Sequence, residues 1–121
     1  MFNEYEDEVK ERWGDTDAYQ QSTSRTSKYT KDDFAAAKVD QEAATEMFVV
    51  AFGNSYSVTS EQAQAAVVAH RAAISKWFYD CSIEMQKNLA LMYVQDPRFK
   101  KYYDGRVNGL AQYVHDAIMA Q

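Results

Sequence analysis

Residues 61–95 read EQAQAAVVAHRAAISKWFYDCSIEMQKNLALMYVQ, without a glycine or a proline. Ala63, Ala66, Val67, His70, Ile74, Trp77 and Phe78 recur at alternating spacings of three and four, the mark of one buried helical face. One helix over the whole run would be about three times the mean helix length of roughly 11–12 residues. The reading therefore predicts a break near Tyr79–Ser82, with Asp80 or Ser82 capping a new helix. That helix, Ile83 to Val94, carries Ile83, Met85, Leu89, Leu91, Met92, Tyr93 and Val94. It is apolar on most sides, which predicts that it is the buried one.

Working outward, Thr30 followed by Asp33 resembles a capping box with Asp in place of Glu. From Lys31 the pattern predicts a helix with Phe34, Ala37, Ala44, Met47, Phe48 and Ala51 inward, stopped by Gly53-Asn54-Ser55. Thr59 with Gln62 gives a second capping-box signature ahead of residue 61. Asp96-Pro97 ends one helix and starts a short one bearing Phe99, Tyr102 and Tyr103, which Gly105 closes. Arg106 to Ala120 is predicted as the last helix, with Val107, Leu110, Ala111, Val114, Ala117 and Ile118 inward. At the other end Glu4–Trp13 has helical composition and Gly14 is a natural stop. Asp15 or Thr16 can cap a further helix through Ala18, Tyr19 and Gln20 towards Lys28. Its many Ser and Thr hydroxyls compete for the backbone and weaken it. The prediction is an all-α domain of six or seven helices, one layer packed on another.

A chain of 121 residues, 46% apolar and 26% charged, is one globular domain. Four glycines and one proline are too few for the turns of an all-β chain. No apolar run approaches the roughly 18 residues of a membrane span, and no secretory leader opens the chain, so the expected location is cytoplasmic. The first seventeen residues hold seven acids against two bases, which is the whole net charge of −5. The body that follows balances eleven acids with eleven bases. Residues 1–30 are accordingly read as an acidic helical arm of low stability, and 31–121 as the core.

Most chemistries find little support. The single cysteine, Cys81, excludes an internal disulfide, a Cys-rich zinc site and a CxxC pair. As a nucleophile it would need His70 or His115 as base, but it sits in no protease signature and reads as a small buried hydrophobe. His70, on an apolar stripe, reads as a hydrogen-bonded core residue rather than a haem ligand, and no metal or cofactor is expected. Lys100-Lys101 alone is too little to hold nucleic acid. What stands out is the density of Trp77, Phe78, Tyr79, Tyr93, Phe99, Tyr102 and Tyr103 with Met85 and Met92. Core packing accounts for most of them. The same side chains also suit an adaptable apolar pocket.

Glu4 to Tyr19, with its ERWG and TDAY motifs, then Thr30-Lys31-Asp32-Asp33, resembles the start of the TipAS antibiotic-recognition domain. So do His70-Arg71, Trp77-Phe78-Tyr79-Asp80-Cys81, Glu84-Met85, Met92-Tyr93-Val94 and Asp96-Pro97-Arg98-Phe99. Gly109-Leu110-Ala111 and Asp116-Ala117-Ile118 complete a resemblance over almost the whole chain. It implies a globin-like helical fold without haem and an antibiotic-sensing, non-enzymatic role. The ligands implied are bulky, apolar, thiopeptide-like compounds held in an aromatic cleft. It further implies the effector part of a MerR-type transcription activator, or a free drug-sequestering form. In such a regulator DNA is contacted only through a winged helix, and a dimer is possible in the intact protein. The family's type member folds its amino-terminal segment over the drug as a lid and traps thiopeptides through a cysteine seven residues past the YDC cysteine. That position is Asn88 here, so reversible binding is expected, with Cys81 structural. The residues assigned to the cleft are Tyr79, Asp80, Met85, Asn88, Leu89, Met92, Tyr93, Phe99 and Tyr103, with Trp13 and Tyr19 from the lid. His70 and Trp77 are assigned to the core. A different use of the same surface, a groove holding a partner helix, stands as the alternative.

Overall fold

The computed structural model describes residues 17–121, and the expected helix at Glu4–Trp13, the caps Asp15 and Thr16, and Trp13 itself lie outside them. Among the described residues there are six helices and no strand: α1 Asp17–Thr26, α2 Lys31–Gly53, α3 Glu61–Trp77, α4 Ile83–Gln95, α5 Pro97–Asp104 and α6 Leu110–Met119. The all-α expectation holds.

Local chemistry explains most boundaries. Thr30 and Asp33 form the reciprocal capping box at the start of α2, with the Thr30 N–H donating to Asp33 Oδ2 at 2.9 Å. Ser82 caps α4, its Oγ accepting from Met85 N at 3.0 Å; Asp80 does not. Asp96 closes α4 and caps α5, with Pro97 in the first turn where no N–H is required. Two expectations are corrected. Ser60, not Thr59, caps α3 and accepts from Ala63 N at 3.1 Å. The last helix starts at Leu110 rather than Arg106, because Gly109 takes a left-handed φ of 89° that interrupts the helical path. With no side chain at that cap, Asp104 Oδ1 reaches across to Ala111 N at 2.9 Å.

α2 packs along α3, α4 packs along α6, and α6 also touches α2, α3 and α5. Ala37, Ala44 and Ala51 repeat every seven residues on the buried side of α2, and α3 answers with Ala63 and Ala66. Such small residues let helix axes approach closely. Phe48, Val67, Leu110, Val114 and Ile118 fill the centre and are fully buried. The most buried helix is therefore α6, not α4: on α4 only Gln86, Ala90 and Tyr93 are buried, and Ile83 and Leu91 are exposed. On α2, Phe34 and Met47 also turn outward, 49% and 38% exposed, against the inward expectation. Among the described residues no helix is long and apolar enough to cross a membrane.

Candidate functional site

Four of the carboxy-terminal aromatics, Tyr93, Phe99, Tyr102 and Tyr103, pack together, whereas Trp77 packs against Tyr29. The Tyr93 ring of α4 packs at a tilt 5.6 Å from Phe99 and 5.1 Å from Tyr103, both on α5, and Tyr103 meets Tyr102 edge-on at 4.9 Å. Tyr93 and Tyr103 are buried and Phe99 is half-buried. Arg106 lies over the Tyr102 ring and pairs with Glu42, tying α5 to α2 and holding the Glu42 carboxyl below its usual range.

Behind these rings runs a buried polar chain. Gln86 Nε2 donates to Val67 O and to His70 Nδ1, each at 2.8 Å. Gln86 Oε1 accepts from Arg71 at 3.1 Å and from Gln121 at 3.0 Å, which fixes the amide orientation. Since His70 Nδ1 accepts, Nε2 carries the proton and donates to the Tyr93 hydroxyl at 2.9 Å. Burial lowers the His70 pKa to about 4, with the Arg71 charge adding to the effect, so the imidazole is neutral at pH 7. His70 is thus the core residue expected from the sequence, whereas Gln86 carries no distinguishing signal there, being one of three amides on α4 with Asn88 and Gln95.

Met85, Leu89 and Met92 occupy i, i+4 and i+7 on one face of α4, all half-buried. Asn88 edges that face and is exposed. The result is an apolar strip beside the aromatic cluster, covered only in part. Tyr79, in the α3–α4 loop, is half-buried, and burial pushes its phenol well up. Asp80 is 82% exposed at its side chain and pairs with Arg25 of α1 at 2.7 Å. Tyr19, also on α1, is half-buried. A separate shallow hollow of ≈ 10 Å³, room for one water, opens between α2 and α3 beside Ala44, His70 and Phe78.

Cys81 is buried, with its N–H donated to Ser75 Oγ at 3.0 Å. Burial pushes its thiol up to about 11 against the smaller lowering effect of the Arg71 charge, and both His70 nitrogens are engaged elsewhere. Among the described residues no three His, Cys, Asp or Glu side chains group as a metal site.

Comparison with known proteins gives this arrangement its context. The chain is 42% identical over 118 residues to the HTH-type transcriptional activator TipA of Streptomyces coelicolor, and equally to that of Streptomyces lividans. It is 29% identical over 115 residues to the activator mta of Bacillus subtilis. The match covers 98% of this chain but 47% of TipA, and 95% of this chain but 44% of mta, so the chain spans about half the length of these relatives. They are named as transcriptional activators, not as enzymes. A solved structure of TipAS with nosiheptide, from a thiopeptide antibiotic multidrug resistance system of S. lividans, superposes with a TM-score of 0.90 at 42% identity. That match covers 98% of this chain and 82% of the other. The model of the TipAS antibiotic-recognition domain matches residues 5–121, and the chain belongs to that family.

Proposed function

We propose that this domain senses bulky, apolar, thiopeptide-like antibiotics, as the effector part of a MerR-type activator or as a free drug-sequestering form acting in the cytoplasm. The observation that carries the reading is the close likeness, in sequence and in backbone, to a TipAS domain solved with nosiheptide. The strip of Met85, Leu89 and Met92 beside Tyr79, Phe99 and the Tyr93–Tyr103 pair supplies an apolar, polarizable wall for such a ligand. Asn88, at the solvent edge, can donate to and accept from ligand amides. In this reading residues 1–30, with Trp13 and Tyr19, act as the lid over the core 31–121. Binding is reversible, because position 88 lacks a thiol and burial pushes the Cys81 thiol up. DNA is contacted only by a winged helix elsewhere in an intact regulator.

Thermal melting with and without nosiheptide tests the reading. Ligand at a hundred times Kd stabilises the folded state by about 2.7 kcal/mol, a shift of roughly 10 °C for a domain of this size. A melting point unmoved by nosiheptide up to its solubility limit overturns it.

A further inference from the structure

The carboxy-terminal end of α3 has no glycine cap; its C-cap residue is Phe78. Helices commonly close on a glycine in left-handed conformation, but here the chain continues Trp77-Phe78-Tyr79-Asp80. Phe78 N and Tyr79 N both return to Ile74 O, at 2.9 and 3.2 Å. Two of the remaining end carbonyls are served from the arm. Arg25 of α1 donates to Ser75 O at 2.6 Å, and the Tyr29 hydroxyl donates to Trp77 O. Arg25 also pairs with the Asp80 carboxylate at 2.7 Å, and its charge sits where the α3 dipole is negative. Gln21, one turn earlier, accepts the Asp80 N–H at 2.9 Å. The Tyr29 ring packs edge-on against Trp77 at 5.8 Å and Phe34 at 5.6 Å.

Resting on the functional reading above, we infer that Arg25 and Tyr29 are positioning residues. By capping α3 they couple the docking of α1 to the order of the loop 78–82. That loop carries Tyr79, a residue assigned to the ligand wall, and leads into Ser82, the cap of α4. A ligand that holds the arm down therefore gains affinity through two side chains that never touch it, and the free energy flows both ways. The exposed ion pair alone contributes little. The coupling lies in the end carbonyls, which lose their protein donors when the arm leaves.

The Asp80 amide reports this directly, since its hydrogen bond crosses to Gln21. The test is residue-resolved amide exchange together with nosiheptide titration, on the unmodified chain and on Arg25→Ala, Arg25→Lys and Tyr29→Phe. In Arg25→Ala the Asp80 amide exchanges about tenfold faster while Val114 and Ala117 keep their protection. Nosiheptide binding weakens by about fivefold. Arg25→Lys, which keeps the charge and one donor, recovers most of both, and Tyr29→Phe gives a smaller loss of the same kind. Unchanged Asp80 exchange in Arg25→Ala overturns the inference, as does an equal loss of protection throughout α6. Absence of nosiheptide binding by the unmodified chain overturns the functional reading instead, and Asp80 exchange then decides the coupling alone.

Discussion

Replacing Gln86 by leucine tests the buried polar chain at its centre. The residue is fully buried and serves four partners: Val67 O, His70 Nδ1, Arg71 and Gln121. Leucine fills similar space but leaves His70 Nδ1 as a buried acceptor with no donor. Arg71 and Gln121 still bond to each other near the surface, so their loss is small. One orphaned buried group costs about 1–3 kcal/mol, and the better burial of leucine offsets part of it. A net loss of about 2 kcal/mol lowers the melting temperature by roughly 8 °C in a domain of this size. The double variant His70→Phe/Gln86→Leu also withdraws the imidazole from the Tyr93 hydroxyl, so it should melt low, but by less than the sum of the two single losses, because the Gln86–His70 hydrogen bond is counted in both. Differential scanning calorimetry at pH 7 decides. A Gln86→Leu protein melting within about 2 °C of the parent refutes the reasoning, and so does a double variant that falls by the sum of two independent losses.

His70 makes stability depend on pH. The unfolded chain takes the proton near 6.5 and the folded one only near 4, so the contribution is complete above pH 6.5 and is lost as pH falls towards 4. The full loss is about 3 kcal/mol, and urea titrations between pH 7 and 5 should show a slope that His70→Phe flattens. Glu42, with its pKa lowered by Arg106, adds a loss only as pH falls below its ordinary 4.5. Gly109→Ala forces a side chain into a φ of 89° and should cost about 1–2 kcal/mol, although Phe52 leaves room for the methyl group. Gly53→Ala, in open space at the end of α2, should be neutral or stabilising by up to about 1 kcal/mol in the same melts. Intact mass after incubation with thiostrepton should show the unmodified protein; an adduct of compound mass would refute reversible binding at Asn88.

What the sequence made legible was local. Thr30/Asp33, Ser82 and Asp96-Pro97 carry their own hydrogen-bond partners within a turn, so the starts of α2, α4 and α5 could be read directly. The faces of α2 and α4 could not. Both helices are apolar on more than one side, and only the placement of α3 and α6 decides that Phe34 and Leu91 turn outward while Ala37 and Ala90 are covered. Gly105 and Gly109 look alike in sequence, yet only Gly109 adopts the left-handed conformation, beside the Phe52 ring. In the site, the tyrosines of α4 and α5 were readable from density and spacing. The roles of Gln86 and Arg25 were not, since each acts on residues far along the chain. Asp80, assigned to the cleft on resemblance, stands on the surface against Arg25.

The central claim is that a drug-sized ligand lies along the Met85–Leu89–Met92 face of α4, and five methionines make it measurable. Methyl-labelled methionine spectra recorded through a nosiheptide titration should shift Met85 and Met92 in a saturable way. Met47 on α2 and Met119 at the end of α6, both exposed, should stay still. Saturating nosiheptide that leaves Met85 and Met92 unmoved would contradict the account.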